Sequence, residues 1–274
     1  MISICCVTLD VLSKVEQLFI ESITTKCKKV DEVIIVNNDK STDYYDEQTI
    51  NNVKIKKFGS GITQKSSYGH ALGLHFCIDK AKNDYILLAD ADMLLYTAAD
   101  EIFLNLMNTY DLFAIGVSID CPPILAATFF PFVHFLLLRK SKLPTIDFLA
   151  ECDRIESLQA CNFNNFPKVP LNGKFLLPGP TNHWNTFPNP NGSFDTSCNL
   201  WLWCQKQNGR WLSFQTMDQH NYNLNLYRTN FKLKEKLGNK KLVYHMISAS
   251  AKLSENPSII QDYEKVWSEI KNEN

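Results

Sequence analysis

The sequence lacks an excess of charge of either sign, because 28 Lys and Arg residues stand against 29 Asp and Glu residues. The densest basic stretch, KLKEKLGNKK (232–241), is short and is interrupted by Glu235. Proteins that bind nucleic acid usually carry a basic patch or stripe. The charge balance therefore argues against a nucleic-acid partner.

A long uninterrupted apolar run is also missing. The most apolar region, CPPILAATFFPFVHFLLL (121–138), contains Pro131 and His134 and falls short of a transmembrane span. We therefore expect it to be buried or at an interface, and we expect no transmembrane segment. The start of the chain, MISICCVTL, has the pattern of a strand and carries no charged leader or small-residue cleavage site. A cytoplasmic location is the corresponding expectation.

Paired CxxC motifs with zinc spacing are absent, although the chain has nine cysteines. In a chain without a secretory signal, cysteines are expected to be reduced and to behave as small buried apolar residues. No internal repeat or low-complexity tract is visible. A length of 274 residues suits one large α/β domain or two small ones.

The first half instead alternates strand and helix patterns. Apolar runs predict strands at 2–8, 32–36, 53–58, 84–90 and 112–118, and helical spacing predicts helices from Ser13, over 69–82 and over 101–108. SKVE (13–16) and TAAD (97–100) have the pattern of capping boxes, and 53–58 alternates like an edge strand. Strands that alternate with helices indicate parallel βαβ units, so we expect an open sheet with helices on both faces.

The second half is less regular. Pro and Asn are frequent over 161–192, and long irregular segments of this kind are often lids or binding loops. A helix is expected after Ser193, ending near Gly209, followed by a strand over RWLSFQ (210–215).

Two carboxylates, Asp90 and Asp92, follow the apolar strand YILLA in the stretch DYILLADADMLLY (84–96). Ligands of open α/β sheets bind at the carboxyl ends of the parallel strands. Carboxylate oxygens suit Mg²⁺ or Mn²⁺, which commonly bridge to phosphates. The D-x-D pattern alone leaves two readings open, solvated acids at a strand end or a cation site.

Three motifs occur in order over the first 95 residues: VDEVIIVNNDKSTD (30–43), YGHALGLHFCIDKAK (68–82) and DYILLADAD (84–92). Together they resemble the family-2-like glycosyltransferases of the GT-A fold. The resemblance implies an α/β fold, with a GT-A (Rossmann-like) mostly parallel central sheet and helices on both faces. It further implies a nucleotide-sugar-binding half at 1–120 and an acceptor-binding half of the same domain at 121–274.

Site residues follow from the same resemblance. It implies that Asp90 contacts the ribose and that Asp92, with Asp90 beside it, ligates Mn²⁺ or Mg²⁺ on the diphosphate of a UDP-, GDP- or dTDP-sugar. One departure is that Asn37 stands where the family usually has an acid. Asp39 is the candidate to replace that acid, and the identity of the nucleotide base is left open. The residues implied to bind the nucleotide sugar are Thr8, Asp10, Asn37, Asn38, Asp39, Lys65, Gly69 and Asp90.

The catalytic base is implied to be Asp195, in NGSFDTSCNLWLWC (191–204), with Asp218 in reserve and Glu151 as a weaker candidate. An acid in the first turn of a helix can also simply interact with the helix dipole. His245, in KLVYHMISAS, resembles the family's late metal-binding His, although a lone His is more often a packed core residue. The remaining candidates, His134, His183 and His220, are expected to be ordinary packed or solvated histidines.

The resulting hypothesis is a metal-dependent, inverting glycosyltransferase of the hexosyl type that acts on a glycan or other hydroxyl acceptor. The alternatives are a non-catalytic nucleotide-sugar or glycan-binding module of the same fold and a sugar nucleotidyltransferase. VTLDVLSK (7–14) has no glycine, which disfavours the nucleotidyltransferase. Leu94, where D-x-D phosphatases carry Thr or Val, argues against a phosphatase.

Overall fold

The computed structural model describes residues 1–62, 67–117, 134–143, 169–171, 174–176, 211–214, 216–219, 225–228, 241–246 and 249–273. The strands are β1 (Ile2–Thr8), β2 (Val30–Asn37), β3 (Tyr45–Ile50), β4 (Val53–Gly59), β5 (Tyr85–Ala89), β6 (Met93–Leu95), β7 (Ala114–Val117), β8 (Phe135–Arg139), β9 (Val169–Leu171), β10 (Lys174–Leu176), β11 (Trp211–Phe214), β12 (Thr216–Gln219), β13 (Asn225–Arg228) and β14 (Lys241–His245). The helices are α1 (Ser13–Lys26), α2 (Ser67–Lys80), α3 (Ala99–Thr109), α4 (Ala249–Glu255) and α5 (Ile259–Asn272). Within these ranges no helix combines the length and apolar character that a bilayer crossing requires.

The main sheet has the strand order β11-β7-β8-β5-β1-β2-β4-β3. Its centre is parallel, since β1 pairs in parallel with both β2 and β5, and β2 pairs in parallel with β4. Two strands run against this direction: β8 between β5 and β7, and β3 along the edge beside β4. Near-continuous apolar runs form its central strands because both faces of a parallel sheet are covered.

Helices cover the two faces of this sheet. Val7 of β1 faces α2, where a Cβ added at Gly73 would lie 2.7 Å from Val7 Cγ2. Ile4 and Cys6 instead join Phe19 of α1 in the main apolar cluster. Because successive residues of a strand point to opposite faces, α1 and α2 lie on opposite sides of β1. The expected mostly parallel sheet with helices on both faces is confirmed.

A second, antiparallel sheet has the strand order β12-β13-β14-β6. Its strand β6 follows β5 of the main sheet after only three residues, Asp90 to Asp92. The two carboxylates therefore lie where the chain passes from one sheet to the other. A hairpin, β9 with β10, lies within the segment that was expected to be irregular.

Helix α5 packs beside α1 and contributes to the same apolar core. Its buried residues are Tyr263, Val266, Trp267 and Ile270, spaced as one helix face. Lys26 Nζ donates a hydrogen bond to the Ile270 carbonyl at 3.3 Å, and Lys271 pairs with Glu21 at 3.0 Å. The last helix is thus an integral part of the apolar core.

Three local predictions are wrong. Strand β4 lies inside the sheet, because the polar segment that becomes β3 adds to its outer side. Ser13 does not cap α1, since a 3₁₀ turn over Asp10–Leu12 runs directly into the helix and Leu12 is its N-cap. Thr97 does not cap α3 either, because the N-cap is Ala98 and makes no side-chain cap hydrogen bond.

The acids of both expected capping boxes have longer-range partners instead. Glu16 is buried and pairs with Lys57 at 2.6 Å. Asp100 accepts hydrogen bonds from the backbone N–H groups of Lys28 and Lys29, at 2.8 and 2.6 Å, and so holds the end of α1 against the start of α3. Tertiary contacts therefore take priority over the local capping pattern.

Some of the other predictions are observed in the structure, and some lie outside the described residues. Residues 135–138 of the apolar stretch form buried β8, as expected, and Cys5, Cys6 and Cys77 are buried free thiols. The helix predicted after Ser193 lies outside the described residues, whereas the strand predicted at 210–215 is observed as β11.

We expect Gly59→Ala to destabilise the protein markedly. A Cβ at Gly59 would lie 1.8 Å from the Ser41 carbonyl oxygen and within 2.9 Å of the carbonyl carbons of Ser41 and Lys40, so the backbone of these two residues would have to move. The expected loss is about 1–3 kcal/mol or more, as for other overpacked sites, measured by equilibrium denaturation. The control is Asp46→Ala on the exposed edge strand, expected within about 0.5 kcal/mol of the wild type. Equal stability of the two variants would contradict the prediction.

Candidate active site

Asp90 is placed by the antiparallel pairing of β5 and β8. Ala89 lies opposite Phe135, so the next residue on β5 meets the preceding residue on β8. The backbone N–H of Asp90 accordingly donates to the His134 carbonyl at 2.9 Å. The side chains also meet, with His134 Nδ1 2.5 Å from Asp90 Oδ2.

His245 reaches the same place from the second sheet. It lies opposite Met93 in the pairing of β14 with β6, and the Met246 N–H donates to the Asp92 carbonyl at 3.0 Å. His245 Nε2 is 3.2 Å from Asp92 Oδ1 and 3.7 Å from Asp90 Oδ2. Both Asp92 and His245 are buried. The two sheets therefore converge on one pair of carboxylates.

A further imidazole comes from the first turn of α2. His70 Nε2 lies 3.5 Å from Asp90 Oδ1, the carboxylate oxygen that does not face His134. Burial acts to raise the pKa of Asp90. The charge and hydrogen bond of His134, together with His70 and His245, outweigh this effect and hold the pKa well below its ordinary value. Asp90 is therefore an ionised carboxylate in a largely enclosed site.

The histidine–carboxylate cluster, defined as Asp90, His134 and His245, has the composition of a metal centre. Its potential ligand atoms all lie within 4.8 Å of one another. Two atoms that bind one ion through bonds of about 2.1 Å are up to about 4.2 Å apart, so the cluster is close to that spacing. One carboxylate and two imidazoles suit a divalent transition metal.

Asp92 gives further support for a cation. Within the described residues its buried Oδ1 makes no hydrogen bond, and His245 Nε2, 3.2 Å away, balances its charge only when that imidazole is protonated. The charge of Asp92 also helps to raise the pKa of the nearby Tyr263 hydroxyl, after the larger effect of burial. A buried carboxylate oxygen is costly without a partner. A positive ion beside His245 and Asp90 would offset that cost.

A second polar group, called the Asp10 group, lies at the ends of β1 and β2. It consists of Asp10 and three residues of the polar turn at 37–40, namely Asn37, Asp39 and Lys40. Asn37 Nδ2 donates to Asp10 Oδ1 at 2.8 Å, and Lys40 Nζ donates to Asp10 Oδ2 at 2.9 Å. The Asp10 N–H donates to Asp39 Oδ2 at 2.9 Å, and the Asp39 N–H donates to Asn37 Oδ1 at 2.8 Å. These hydrogen bonds, first that of Lys40 and then that of Asn37, lower the pKa of Asp10. Asp10 and Asp39 are exposed and present carboxylates to solvent.

Asn38 ties this polar turn to α2. Its N–H donates to the Thr8 carbonyl at 3.1 Å, and its Nδ2 donates to the Gly69 carbonyl at 3.2 Å. Its Oδ1 accepts from Ser60 Oγ at 2.7 Å. Thr8 and Asn38 are both buried, so they support the surface that Asp10 and Asp39 present.

The structure thus gathers most of the sequence-predicted residues at the carboxyl ends of three neighbouring strands. Asp218 lies on β12, two strands away from β14, at the register position of Leu226 and Tyr244. Those that lie outside the described residues are Lys65, Asp195, Glu151, His183 and His220.

Two functional candidates were missed from the sequence. His134 was expected to be an ordinary histidine, because an antiparallel strand inserted beside β5 could not be foreseen. Its one sequence signal is its position immediately before the apolar run FLLL. His70 lies inside the quoted motif YGHALG, but a helical pattern does not indicate which residue faces a neighbouring strand.

Part of the sequence matches a known protein family. Residues 11–128 match the model of "Glycosyl transferase family 2". Comparison with curated protein sequences gives no significant match.

Comparison with solved structures gives several matches at low identity. Staphylococcus aureus TarS 1-349 in complex with UDP is 14% identical, with a TM-score of 0.41, over 58% of this chain and 54% of that one. The glycosyltransferase GlyE of Streptococcus pneumoniae TIGR4 is 11% identical, with a TM-score of 0.43, over 81% of this chain and 46% of that one. The chain therefore spans about half the length of these proteins.

The matched segment contains the parallel strands β2, β4 and β5, the helix α2 and both carboxylates of the D-x-D motif. The sequence resemblance and the expected fold class are therefore confirmed. Residues 11–128 of this chain are thus similar to glycosyl transferase family 2.

Proposed function

We propose that the chain is a metal-dependent, inverting glycosyltransferase. It would move a sugar from a nucleoside-diphosphate sugar to a hydroxyl group of a glycan or other acceptor. The observation that carries the proposal is the histidine–carboxylate cluster at the carboxyl end of β5, in a family 2 domain and one strand from the Asp10 group. Ligands of open parallel sheets bind at this edge.

The nucleoside part of the donor is assigned to the polar turn. Asp10 and Asp39 offer carboxylate oxygens to the hydroxyl or N–H donors of a nucleoside, on a turn held rigid by Asn37 and Lys40. A UDP-, GDP- or dTDP-sugar is compatible with these two carboxylates as hydrogen-bond acceptors. Asn37 is occupied within the protein by Asp10 and Asp39, so it serves mainly to orient them.

The diphosphate is assigned to the edge beside the cluster. Asp90, His134 and His245 would hold the cation, with Asp92 adding negative charge beside His245. When bound, a divalent cation stabilises the charge on the departing diphosphate. Asp90 is ionised at neutral pH, as an aspartate ordinarily is, so its carboxylate is available as a ligand.

Transfer with inversion also needs a base. It would take the proton of the acceptor hydroxyl while that oxygen bonds to the anomeric carbon, and the diphosphate would leave from the opposite side with the bonding electrons. Asp195 is our first candidate for this base and Asp218 the second. The acceptor half at 121–274 and a cytoplasmic location are part of the same proposal.

The function can be tested by turnover of a donor panel. We expect hydrolysis or transfer from one of the UDP-, GDP- or dTDP-sugars with added Mn²⁺, and loss of turnover after chelation by EDTA. Donor binding without turnover, with any acceptor, would instead favour a non-catalytic binding module. Release of pyrophosphate from a nucleoside triphosphate and a sugar 1-phosphate would favour a nucleotidyltransferase.

A further inference from the structure

We propose that His134 is a metal ligand, and that the centre is a two-histidine, one-carboxylate site that prefers transition metals to Mg²⁺. This inference rests on the proposed function and specifies its cofactor. Neither His134 nor His245 lies in the segment that matches the family model, which ends at residue 128. The chain outside that segment therefore supplies both imidazoles.

The two carboxylate oxygens of Asp90 have different histidine neighbours. Oδ2 is hydrogen-bonded to His134 Nδ1 at 2.5 Å and lies 3.7 Å from His245 Nε2, whereas Oδ1 lies 3.5 Å from His70 Nε2. An ion held by Oδ2 and His134 would replace this hydrogen bond. His134, His245 and Oδ2 thus meet at one point, and His70 lies on the other side of the carboxylate. The rings of His134 and His245 are 5.1 Å apart between centroids, which places both beside this point.

Two backbone contacts fix these residues independently of a ligand. Asp90 and His134 are joined by the hydrogen bond from Asp90 N–H to the His134 carbonyl, at the end of the β5–β8 ladder. His245 is fixed beside Met93 by the β14–β6 ladder. The donor set is therefore part of the sheet framework, and a preorganised set of this kind is what a specific metal site requires.

The chemistry of the donors predicts the selectivity. Mg²⁺ favours oxygen ligands and keeps several of its waters, whereas imidazole nitrogen suits later divalent metals. Two nitrogens and one oxygen should therefore bind Mn²⁺ and Co²⁺ more tightly than Mg²⁺. Three protein ligands also leave coordination positions for oxygen atoms of a diphosphate.

The test uses metal binding by the full chain without any donor. After removal of metal by a chelator, Mn²⁺ affinity is measured from the EPR signal of free Mn²⁺, Co²⁺ from its visible absorption, and Mg²⁺ by competition. We expect Mn²⁺ and Co²⁺ to bind at least about 10-fold more tightly than Mg²⁺, and His134→Gln to weaken both by about 10–100-fold. His75→Gln, a histidine elsewhere on α2, is the control and should bind as the wild type does.

A second variant keeps the inference falsifiable if His134→Gln folds poorly. His134→Asp replaces nitrogen by oxygen, so it should recover binding and narrow the preference for Mn²⁺ over Mg²⁺. Unchanged Mn²⁺ and Co²⁺ affinity in a folded His134→Gln variant, or equal affinity of the wild type for Mg²⁺ and Mn²⁺, would overturn the inference. Selective Mn²⁺ binding that depends on His134, without turnover of any donor, would support it while overturning the proposed function.

Discussion

Asp90→Asn is expected to reduce metal-dependent turnover by about 100-fold or more, because it removes the one charged ligand of the cluster. The Asp90 carboxylate lies within 4 Å of His70, His134 and His245, whereas Asp92 pairs with His245 at 3.2 Å. Turnover of the best donor at saturating Mn²⁺, together with Mn²⁺ affinity, provides the measurement.

Asp46→Asn is the matched control, because Asp46 is exposed on the edge strand β3. It should leave both quantities unchanged. A comparison with Asp92→Asn separates two assignments of the D-x-D pair. If Asp90 is the central ligand, Asp90→Asn loses more Mn²⁺ affinity than Asp92→Asn. The reverse order would support the assignment implied by the family resemblance, with Asp92 on the metal and Asp90 toward the ribose.

Trp267→Ala is expected to destabilise the protein by about 3–5 kcal/mol, the usual cost of truncating a large buried aromatic side chain. Trp267 is 1% exposed and belongs to the main apolar cluster with residues of α1 and the central strands. The loss therefore combines buried apolar area with a cavity between α5 and the rest of the core. Equilibrium denaturation by urea measures it.

Two further variants serve as controls for Trp267→Ala. Trp267→Phe keeps much of the buried area and should cost clearly less than the alanine variant. Gln261→Ala, on the exposed side of the same helix, should stay within about 0.5 kcal/mol of the wild type. A loss below about 1 kcal/mol for Trp267→Ala would mean that α5 is not an integral part of the core.

Much of the parallel framework could be predicted from local pattern. The apolar runs at 2–8, 32–36 and 84–90 each form a strand of the central sheet. Asp90 lies at the end of its strand as expected, since a charged residue ends an apolar run in a way that is visible in the sequence. The family resemblance implied that Asp10 and residues 37–39 bind one nucleotide, and in the structure Asp10 is hydrogen-bonded to Asn37 and Asp39.

The edge of the sheet and the helix starts could not be predicted in this way. The segment YDEQTI is almost wholly exposed, so no apolar alternation indicated strand β3. Glu16 and Asp100 fit a local capping pattern, yet each is bound by a partner far away in sequence. Local propensity is a weak prior when a tertiary contact offers a better partner.

By itself, the sequence determined the parallel α/β fold, the family resemblance and the position of the carboxylate pair, because these depend on periodicity and short motifs. His245 was already a candidate metal ligand from the family resemblance, whereas only the tertiary structure placed His134 and His70 beside Asp90. His134 and His70 are 44 and 20 residues away from Asp90 in the numbering, and His245 is far further along the chain. Their meeting depends on an antiparallel strand inserted beside β5 and on a second sheet that begins at Met93. Such non-local pairing is set by register and packing, which no local pattern of residues encodes.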